Sequence, residues 1–184
     1  MASADGCIAI ASRHFCEISK SGLVSFSNPD GAVFTCAFYN PYNSSHVFLG
    51  DSNGTLFEYL GHSLKARHSG HIEGRIVGMD CTPEGDLLIL SQNSGSPVSI
   101  FDHNGGWHIA SSFKTMDCPL PLQLVKVSDY VFAVCMGSKG IFAVDLAGTP
   151  LDFSDDSYSS FYPSADSRIG SEVCCMAMDP SGRL

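Results

Sequence analysis

The 184-residue sequence has little charge, and basic residues are especially scarce. Ten Lys and Arg stand against nineteen Asp and Glu, which gives a formal net charge of -9 at pH 7. Nucleic-acid-binding proteins usually present a basic patch, and anionic membranes attract clusters of Lys and Arg. The composition therefore predicts no nucleic-acid partner and no membrane partner. Because 44% of the residues are hydrophobic, the chain can form a core, unlike a disordered chain.

Long apolar runs are also missing from the sequence. No stretch approaches the ~20 apolar residues that a membrane-spanning helix needs. The first ten residues include Asp5 and no Lys or Arg, whereas a secretory signal has basic residues before a long apolar segment. We therefore expect the protein to reside in the cytoplasm or the nucleus.

The eight cysteines never form a C-x-x-C pair, the spacing typical of zinc ribbons. Most of them lie within apolar segments, so we interpret them as buried reduced thiols. His62, His68 and His71 crowd one segment. A zinc site needs three or four converging ligands, and turn-associated histidines explain this spacing better. We predict no metal and no cofactor.

Helical signals are weak, and strand signals take their place. Eighteen Gly and nine Pro interrupt the chain, and no window has the apolar spacing of an amphipathic helix. Short apolar runs alternate with turn residues, which predicts many short strands. The run at 131–136 is apolar throughout, as in a strand covered on both faces. We therefore expect five residues of this region to be buried between neighbouring sheets: Val131, Phe132, Val134, Ile141 and Phe142.

An apolar strand, a Gly-containing turn and a second apolar strand recur three times. The first strands of these hairpins begin at Val47, Leu87 and Val131, which are 40 and 44 residues apart by subtraction. Another strand precedes each hairpin, and a fourth follows it. Four antiparallel strands at a period of ~40–45 residues are typical of β-propeller blades. The sequence thus predicts an all-β fold of four-stranded blades, about three full ones with partial terminal blades. The approximate repeats span residues 33–68, 70–113 and 122–153.

We treat residues 1–184 as one propeller domain that is incomplete. Propellers typically contain 4–8 blades, whereas three repeats and a further first strand at 173–178 take up most of this chain. Three strands near Cys7, Phe15 and Leu23 offer one route to a closed four-bladed ring. We favour an open arc whose remaining blades come from further chain. Its uncovered sheet edges are expected to promote association.

The second repeat resembles a WD repeat. Ser69-Gly70-His71 matches the Gly-His pair that opens such repeats, and Leu87-Leu-Ile-Leu-Ser91 matches the second strand. Phe101-Asp102 stands where the family has Trp-Asp, and the next repeat has a weaker equivalent. The resemblance allows a hydrogen bond between His71 and Ser91, whereas Phe101 has no side-chain donor. It implies structural roles for seven positions: Gly70, His71, Ser91, Phe101, Asp102, Val144 and Asp145.

The resemblance implies a non-enzymatic scaffold for protein–protein interaction, since WD-repeat proteins as a family assemble multiprotein complexes. Rigid blades would supply the platform, and loops on the faces would carry recognition. A second hypothesis is a propeller that reads modified peptides or lipids at its central pore. A basic pore lining would favour that function, and the sparse Lys and Arg do not.

A third hypothesis is a serine hydrolase. Gly50-Asp51-Ser52-Asn53-Gly54 fits G-x-S-x-G, with Ser52 as the nucleophile. A nucleophile elbow needs a helix after the serine, whereas the residues that follow predict a strand. Asn-Gly between two apolar runs favours a hairpin turn. We therefore predict no enzymatic activity.

Residues 154–170 are rich in Ser and Asp. Two interpretations stay open: a solvated inter-blade loop, or a phosphorylatable or partner-binding insertion. Acidic flanks would attract a basic partner and speed encounter. The candidate interaction residues of this loop are Asp155, Asp156, Tyr158, Phe161 and Tyr162.

Overall fold

The computed structural model describes residues 6–19, 22–42, 46–60, 63–92, 97–102, 108–113, 121–135, 141–145 and 175–177. Within these ranges the regular structure is entirely β, formed by short apolar segments between turn residues. No helix in the same ranges is long and apolar enough to cross a membrane. The strands of this part are β1 (Gly6–Ala11), β2 (His14–Ser19), β3 (Gly22–Ser27), β4 (Phe34–Tyr39), β5 (His46–Asp51), β6 (Thr55–Leu60), β7 (Ser63–His71), β8 (Ile76–Cys81), β9 (Leu87–Ser91), β10 (Val98–Asp102), β11 (His108–Phe113), β12 (Gln123–Lys126), β13 (Val131–Cys135) and β14 (Ile141–Asp145).

The described strands form four antiparallel sheets in which chain neighbours pair with each other. Sheet 1 contains β1–β3, sheet 2 contains β4–β7, sheet 3 contains β8–β11 and sheet 4 contains β12–β14. The first strands of sheets 2, 3 and 4 contact one another, β4 with β8 and β8 with β12. They therefore line the inner side of the stack, where the sheets converge. The predicted all-β architecture of propeller-like blades is confirmed.

Sheet 1 is offset from the others by one strand. In sheets 2, 3 and 4, the first hairpin turn lies at one end of the stack and the second turn at the other. Phe34 begins β4 at the end of the stack that carries the second turns, because it pairs with Asp51, the residue that precedes the second turn of sheet 2. Its N–H donates to the Ser12 carbonyl at 2.7 Å, so the first turn of sheet 1 also lies at this end. The strands β1–β3 therefore correspond to the second, third and fourth strands of the other sheets.

Apolar side chains fill each space between neighbouring sheets. An aromatic cluster joins sheets 1 and 2, in which Phe15 lies 5.1 Å from Tyr59 between ring centroids. In the same cluster, the rings of Phe34 and Phe57 meet edge to face at 5.8 Å, a favourable geometry. A second cluster joins sheets 2 and 3, and a third joins sheets 3 and 4.

The strand β9 shows why continuous apolar runs form strands here. Its side chains alternate between the two faces of sheet 3, as the period of two requires. Leu87 and Ile89 belong to the cluster shared with sheet 2, whereas Leu88 and Leu90 belong to the cluster shared with sheet 4. All four are fully buried, so the sheet has an apolar neighbour on both faces.

The strand β13 follows the same rule and tests the predicted core. Phe132 is 0% exposed and Val134 is 2% exposed, in the cluster between sheets 3 and 4. Their predicted burial is confirmed. The prediction for Val131 is wrong in degree, because this residue begins the strand and is only half-buried. The side chains of Ile141 and Phe142 lie outside what the structure describes.

Residues 175–177 lie against the far side of sheet 4. The Gln123 side-chain amide donates to the Met176 carbonyl at 2.9 Å and accepts from the Met176 N–H at 2.6 Å. Met176 is buried against Ala133 and Cys135. Of the strand predicted at 173–178, the structure describes residues 175–177. The Gln123 side chain binds this segment, and these residues do not pair with a strand.

Four cysteines with described side chains form no disulfide. Cys81 and Cys135 are buried and Cys36 is half-buried, as expected of small apolar residues. Burial raises the pKa of Cys36 and of Cys81 to about 12, so both stay neutral at physiological pH. Cys175 is exposed, which differs from the expected burial.

Candidate interaction surface

Three consecutive sheets place their first hairpin turns at the same end of the stack. These turns follow β4, β8 and β12, and they lie side by side because the three strands contact one another. Backbone hydrogen bonds close the described turns, such as Thr82 N–H to Asp86 carbonyl at 2.9 Å and Val127 N–H to Val131 carbonyl at 2.8 Å. We define the first-turn surface by five side chains: Tyr42, Glu84, Lys126, Asp129 and Tyr130.

Lys126 lies at the centre of this surface. Its Nζ donates to the Tyr42 hydroxyl at 2.8 Å and to the Cys81 carbonyl at 3.1 Å. It also lies 3.6 Å from Asp129 Oδ1 and 5.0 Å from the centroid of the Tyr42 ring. Burial lowers the pKa of Lys126, but the contacts with Tyr42, Asp80 and Cys81 together outweigh burial and raise that pKa. One ammonium group thus connects three sheets.

Two tyrosines extend the network across the turns. The Tyr42 hydroxyl lies 3.4 Å from Asp129 Oδ1 and connects sheet 2 with sheet 4. The Tyr130 hydroxyl donates to the Glu84 carboxylate and connects sheet 4 with sheet 3. This hydrogen bond lowers the pKa of Glu84 and raises the pKa of Tyr130. Glu84 is therefore ionised at neutral pH.

Asp80 lies beneath the same surface. Burial raises the pKa of its carboxyl, while the Cys81 N–H at 2.8 Å and the Lys126 charge act in the opposite direction. Together with Glu84 and Asp129, it places three carboxyl groups around the Lys126 ammonium. The first-turn surface is therefore acidic overall, with Tyr42 half exposed at its edge.

These groups are suited to recognition. Tyrosine contributes both apolar area and a hydroxyl, and it is enriched at protein interfaces. Tyr42 is 50% exposed, and its ring and hydroxyl are held by Lys126. Because its partners already fix its position, a binding protein would lose little conformational entropy there.

The positions inferred from the WD resemblance are spread over three sheets. Gly70 and His71 end β7, Phe101 and Asp102 end β10, and Val144 and Asp145 end β14. Phe101 is fully buried in the cluster between sheets 2 and 3. These positions therefore do not converge on one site in the described part of the chain, and their structural roles stay predictions.

Ser91 lies at the end of β9 and is fully buried. Among the described residues, its hydroxyl has no hydrogen-bond partner. The His71 side chain lies outside what the structure describes. The hydrogen bond inferred between these two residues thus stays a prediction.

Ser52 lies in the hairpin turn between β5 and β6. The strand β6 follows it, not the helix of a nucleophile elbow. Asp51 Oδ1 accepts from the N–H groups of Asn53 and Thr55, both at 2.8 Å. Gly54 has φ +81°, and a Cβ there would lie 1.8 Å from the Ile72 carbonyl oxygen. The motif therefore serves the turn, with glycine required for backbone conformation and for close approach.

The candidate interaction residues Asp155, Asp156, Tyr158, Phe161 and Tyr162 lie outside the described residues and stay predictions. The side chains of His62, His68 and His71 also lie outside what the structure describes. In the described ranges, no group of three or more His, Cys, Asp or Glu side chains is placed to hold a metal ion.

No sequence pattern points to the first-turn surface. Its residues lie in or beside the first turns of three different repeats, between 42 and 130 in the sequence. Aligning the first turns of the repeats would have shown that each contains a Tyr or a charged residue. Which blades adjoin, and which side chains meet, depends on how the sheets stack.

Comparisons with known proteins bear on the fold of this chain. No family model matches the sequence, and no curated protein matches it either. The solved structures do include similar chains, which places this protein among the propeller folds.

One such neighbour is a chain of the "Crystal Structure of Mitotic Checkpoint Complex", with a TM-score of 0.72 and 13% sequence identity. The match covers 95% of this chain and 50% of that chain, so this chain spans about half the length of its neighbour. At this identity the likeness supports the propeller fold and not membership of the WD-repeat family.

Proposed function

We propose that this chain is a non-enzymatic scaffold that binds other proteins within a multiprotein complex. The observation that carries the proposal is the first-turn surface, where three sheets present a fixed tyrosine and an excess of carboxylates. The stacked apolar clusters beneath it keep the turns in place. The structural neighbour belongs to a multiprotein assembly, which favours the same kind of role.

Affinity purification of the tagged chain from cells, followed by mass spectrometry, tests this function. The surface variant combines Tyr42→Ser with Asp129→Lys, two exposed positions of the first-turn surface. The control is Leu23→Ser, since Leu23 is 68% exposed on β3. We expect specific partners that the control retains and the surface variant loses. Equal recovery by both variants, with unchanged circular dichroism, would contradict the proposal.

Three narrower statements belong to this proposal. We infer that the blades are WD-like, that further chain supplies the rest of the propeller, and that the protein works in the cytoplasm or nucleus. The half-length match to the solved neighbour supports the second inference, that further chain supplies the rest of the propeller.

A hydrolytic role for Ser52 is tested by comparing wild type with Ser52→Ala on a panel of esters and peptides. We expect no difference between them.

A further inference from the structure

The hydrogen-bond donors of the first-turn surface are directed at the protein itself. The Lys126 Nζ contacts three oxygens, those of the Tyr42 hydroxyl, the Cys81 carbonyl and Asp129 Oδ1, and an ammonium group has three N–H donors. Its side chain is only 20% exposed. The Tyr130 hydroxyl donates to Glu84. An acidic partner would therefore find few donors on this surface.

The acceptors of the same surface remain accessible. Asp129 is 66% exposed, and Glu84 is exposed as well. A carboxylate can accept about four hydrogen bonds, and the contacts of Lys126 and Tyr42 with Asp129 both go to Oδ1. Both carboxylates thus retain capacity for donors from outside, so the charge of this surface is complementary to a cationic partner.

A tyrosine accompanies each of these two carboxylates. The Tyr130 hydroxyl is bonded to Glu84, and the Tyr42 hydroxyl lies 3.4 Å from Asp129. Tyr42 is 50% exposed, and its ring already has the Lys126 ammonium 5.0 Å from its centroid, which is the distance of a cation–π contact. The surface therefore combines negative charge with aromatic rings that are partly open to a ligand.

This combination favours arginine over lysine in the partner. A guanidinium group is planar, stacks on aromatic faces and binds a carboxylate through two parallel hydrogen bonds. An ammonium group is a compact, strongly hydrated charge that cannot make either contact in the same way. Paired tyrosines and carboxylates thus fit arginine side chains best.

The turns that carry these groups are fixed by local hydrogen bonds. The Tyr42 N–H donates to Asn40 Oδ1 at 2.9 Å. The turn that contains Glu84 is closed from Gly85 N–H to the Thr82 carbonyl at 3.0 Å. A partner would meet a preformed surface, which lowers the entropy cost of binding.

We propose that the first-turn surface binds an arginine-bearing segment of a partner protein, with one guanidinium on Glu84 beside Tyr130 and another on Asp129 beside Tyr42. This inference rests on the proposed scaffold function and deepens it by naming the chemistry of the partner. Lys126 is a positioning residue, since it holds Tyr42 and Asp129 and keeps its own charge within the protein.

Fluorescence polarisation with the full chain and synthetic peptides tests the proposal. The probe is fluorescein-labelled Gly-Arg-Gly-Ser-Gly-Arg-Gly, and two matched probes replace both Arg by Lys or both by Glu. We expect saturable binding of the Arg probe that weakens with added salt and is at least three-fold tighter than binding of the Lys probe. No saturable binding of the Arg probe would reject the proposal, and equal affinity for the Arg and Lys probes would reduce the site to a charge effect and overturn it.

Charge reversal tests the two carboxylates directly. The double variant Glu84→Lys with Asp129→Lys should bind the Arg probe at least ten-fold more weakly than wild type does, and the Glu probe more tightly. Such an exchange of preference cannot come from misfolding. Unchanged affinity of this variant for the Arg probe would overturn the proposal.

The matched control is Glu73→Lys, compared with the single variant Glu84→Lys. Glu73 is exposed and lies beside the second turn of sheet 2, since a Cβ on Gly54 would contact the carbonyl oxygens of Ile72 and Gly74. Both substitutions change the net charge equally, at opposite ends of the stack. We expect only Glu84→Lys to weaken binding of the Arg probe, and equal weakening by both would overturn the proposal.

Two further outcomes separate the partner from its alternatives. If wild type self-associates in sedimentation and Glu84→Lys does not, the surface binds a second copy of the chain, which would also overturn the proposal. Cellular partners that the surface variant loses, together with no binding of the Arg probe, would refute the arginine chemistry and leave the scaffold function standing. Absence of specific cellular partners would refute the scaffold function, so the two failures are distinguishable.

Discussion

The buried Ser91 hydroxyl allows a test of its inferred hydrogen bond with His71. A buried hydroxyl without a partner costs about 1–3 kcal/mol in lost hydration. We expect Ser91→Ala to raise the free energy of unfolding by about 1 kcal/mol, measured by urea denaturation. Destabilisation by a similar amount would show that His71 supplies the hydrogen bond that the WD resemblance implies. Repeating the measurement in a His71→Ala background would then abolish the effect.

The buried Asp80 carboxyl predicts that the stability of the fold depends on pH. Burial raises the pKa of its carboxyl, so the folded protein binds this proton more tightly than the unfolded chain does. The contribution of Asp80 to stability therefore falls as pH rises through the interval between the unfolded and folded pKa values. We expect Asp80→Asn to be more stable than wild type at pH 7, with an advantage that shrinks as the medium becomes acidic. Lower stability of the variant at pH 7 would show that the Lys126 charge outweighs burial.

At the scale of the strand, β13 depends on apolar contacts with sheet 3. Phe132 packs against Leu88, Leu90 and Leu124 in the cluster that joins the two sheets. Truncation to Ala leaves a cavity, so we expect Phe132→Ala to cost ~3–5 kcal/mol in thermal or urea unfolding. The exposed Leu23→Ala is the matched control and should change stability by less than ~0.5 kcal/mol. A loss below ~1 kcal/mol at Phe132 would contradict the stacked-sheet architecture.

The turn between β5 and β6 depends on Asp51. This carboxylate is fully buried, accepts from two N–H groups of its own turn, and accepts at 3.1 Å from Nδ2 of Asn28, which directly follows β3. Removing it leaves buried donors unpaired, so we expect Asp51→Ala to destabilise the protein by about 2–4 kcal/mol. Asp51→Asn retains an acceptor and should cost less. Equal stability of Asp51→Ala and wild type would mean that water replaces the carboxylate.

At the scale of the whole molecule, sheet 1 lacks an inner strand among the described residues. In the described residues, β1 pairs only with β2, and no strand occupies the inner position that β4, β8 and β12 fill in their sheets. Exposed strand edges promote pairing with other chains. We therefore expect the isolated chain to sediment above its 19.6 kDa mass and to unfold over a broad temperature range. A compact monomer with a sharp, reversible transition would instead support closure within the chain.

Much of the fold could be predicted because its signals are local. The strands β5, β9 and β13 follow from short apolar runs between turn residues, and the repeat period indicates propeller blades. The turn at Ser52 was also predictable, since Asn-Gly between apolar runs favours a hairpin. The place of Tyr42 on an exposed surface could not be predicted, because a single aromatic residue in a turn has no periodic signal.

Local patterns in the sequence predict which segments are strands and which are turns, since alternation and turn chemistry act over only a few residues. The stacking of the sheets settles which sheets adjoin, how sheet 1 is offset, and which side chains meet at the first-turn surface. Tyr42, Glu84 and Lys126 belong to three different sheets and their turns. Their proximity arises from apolar packing between sheets, which is non-directional and leaves no short-range pattern in the chain.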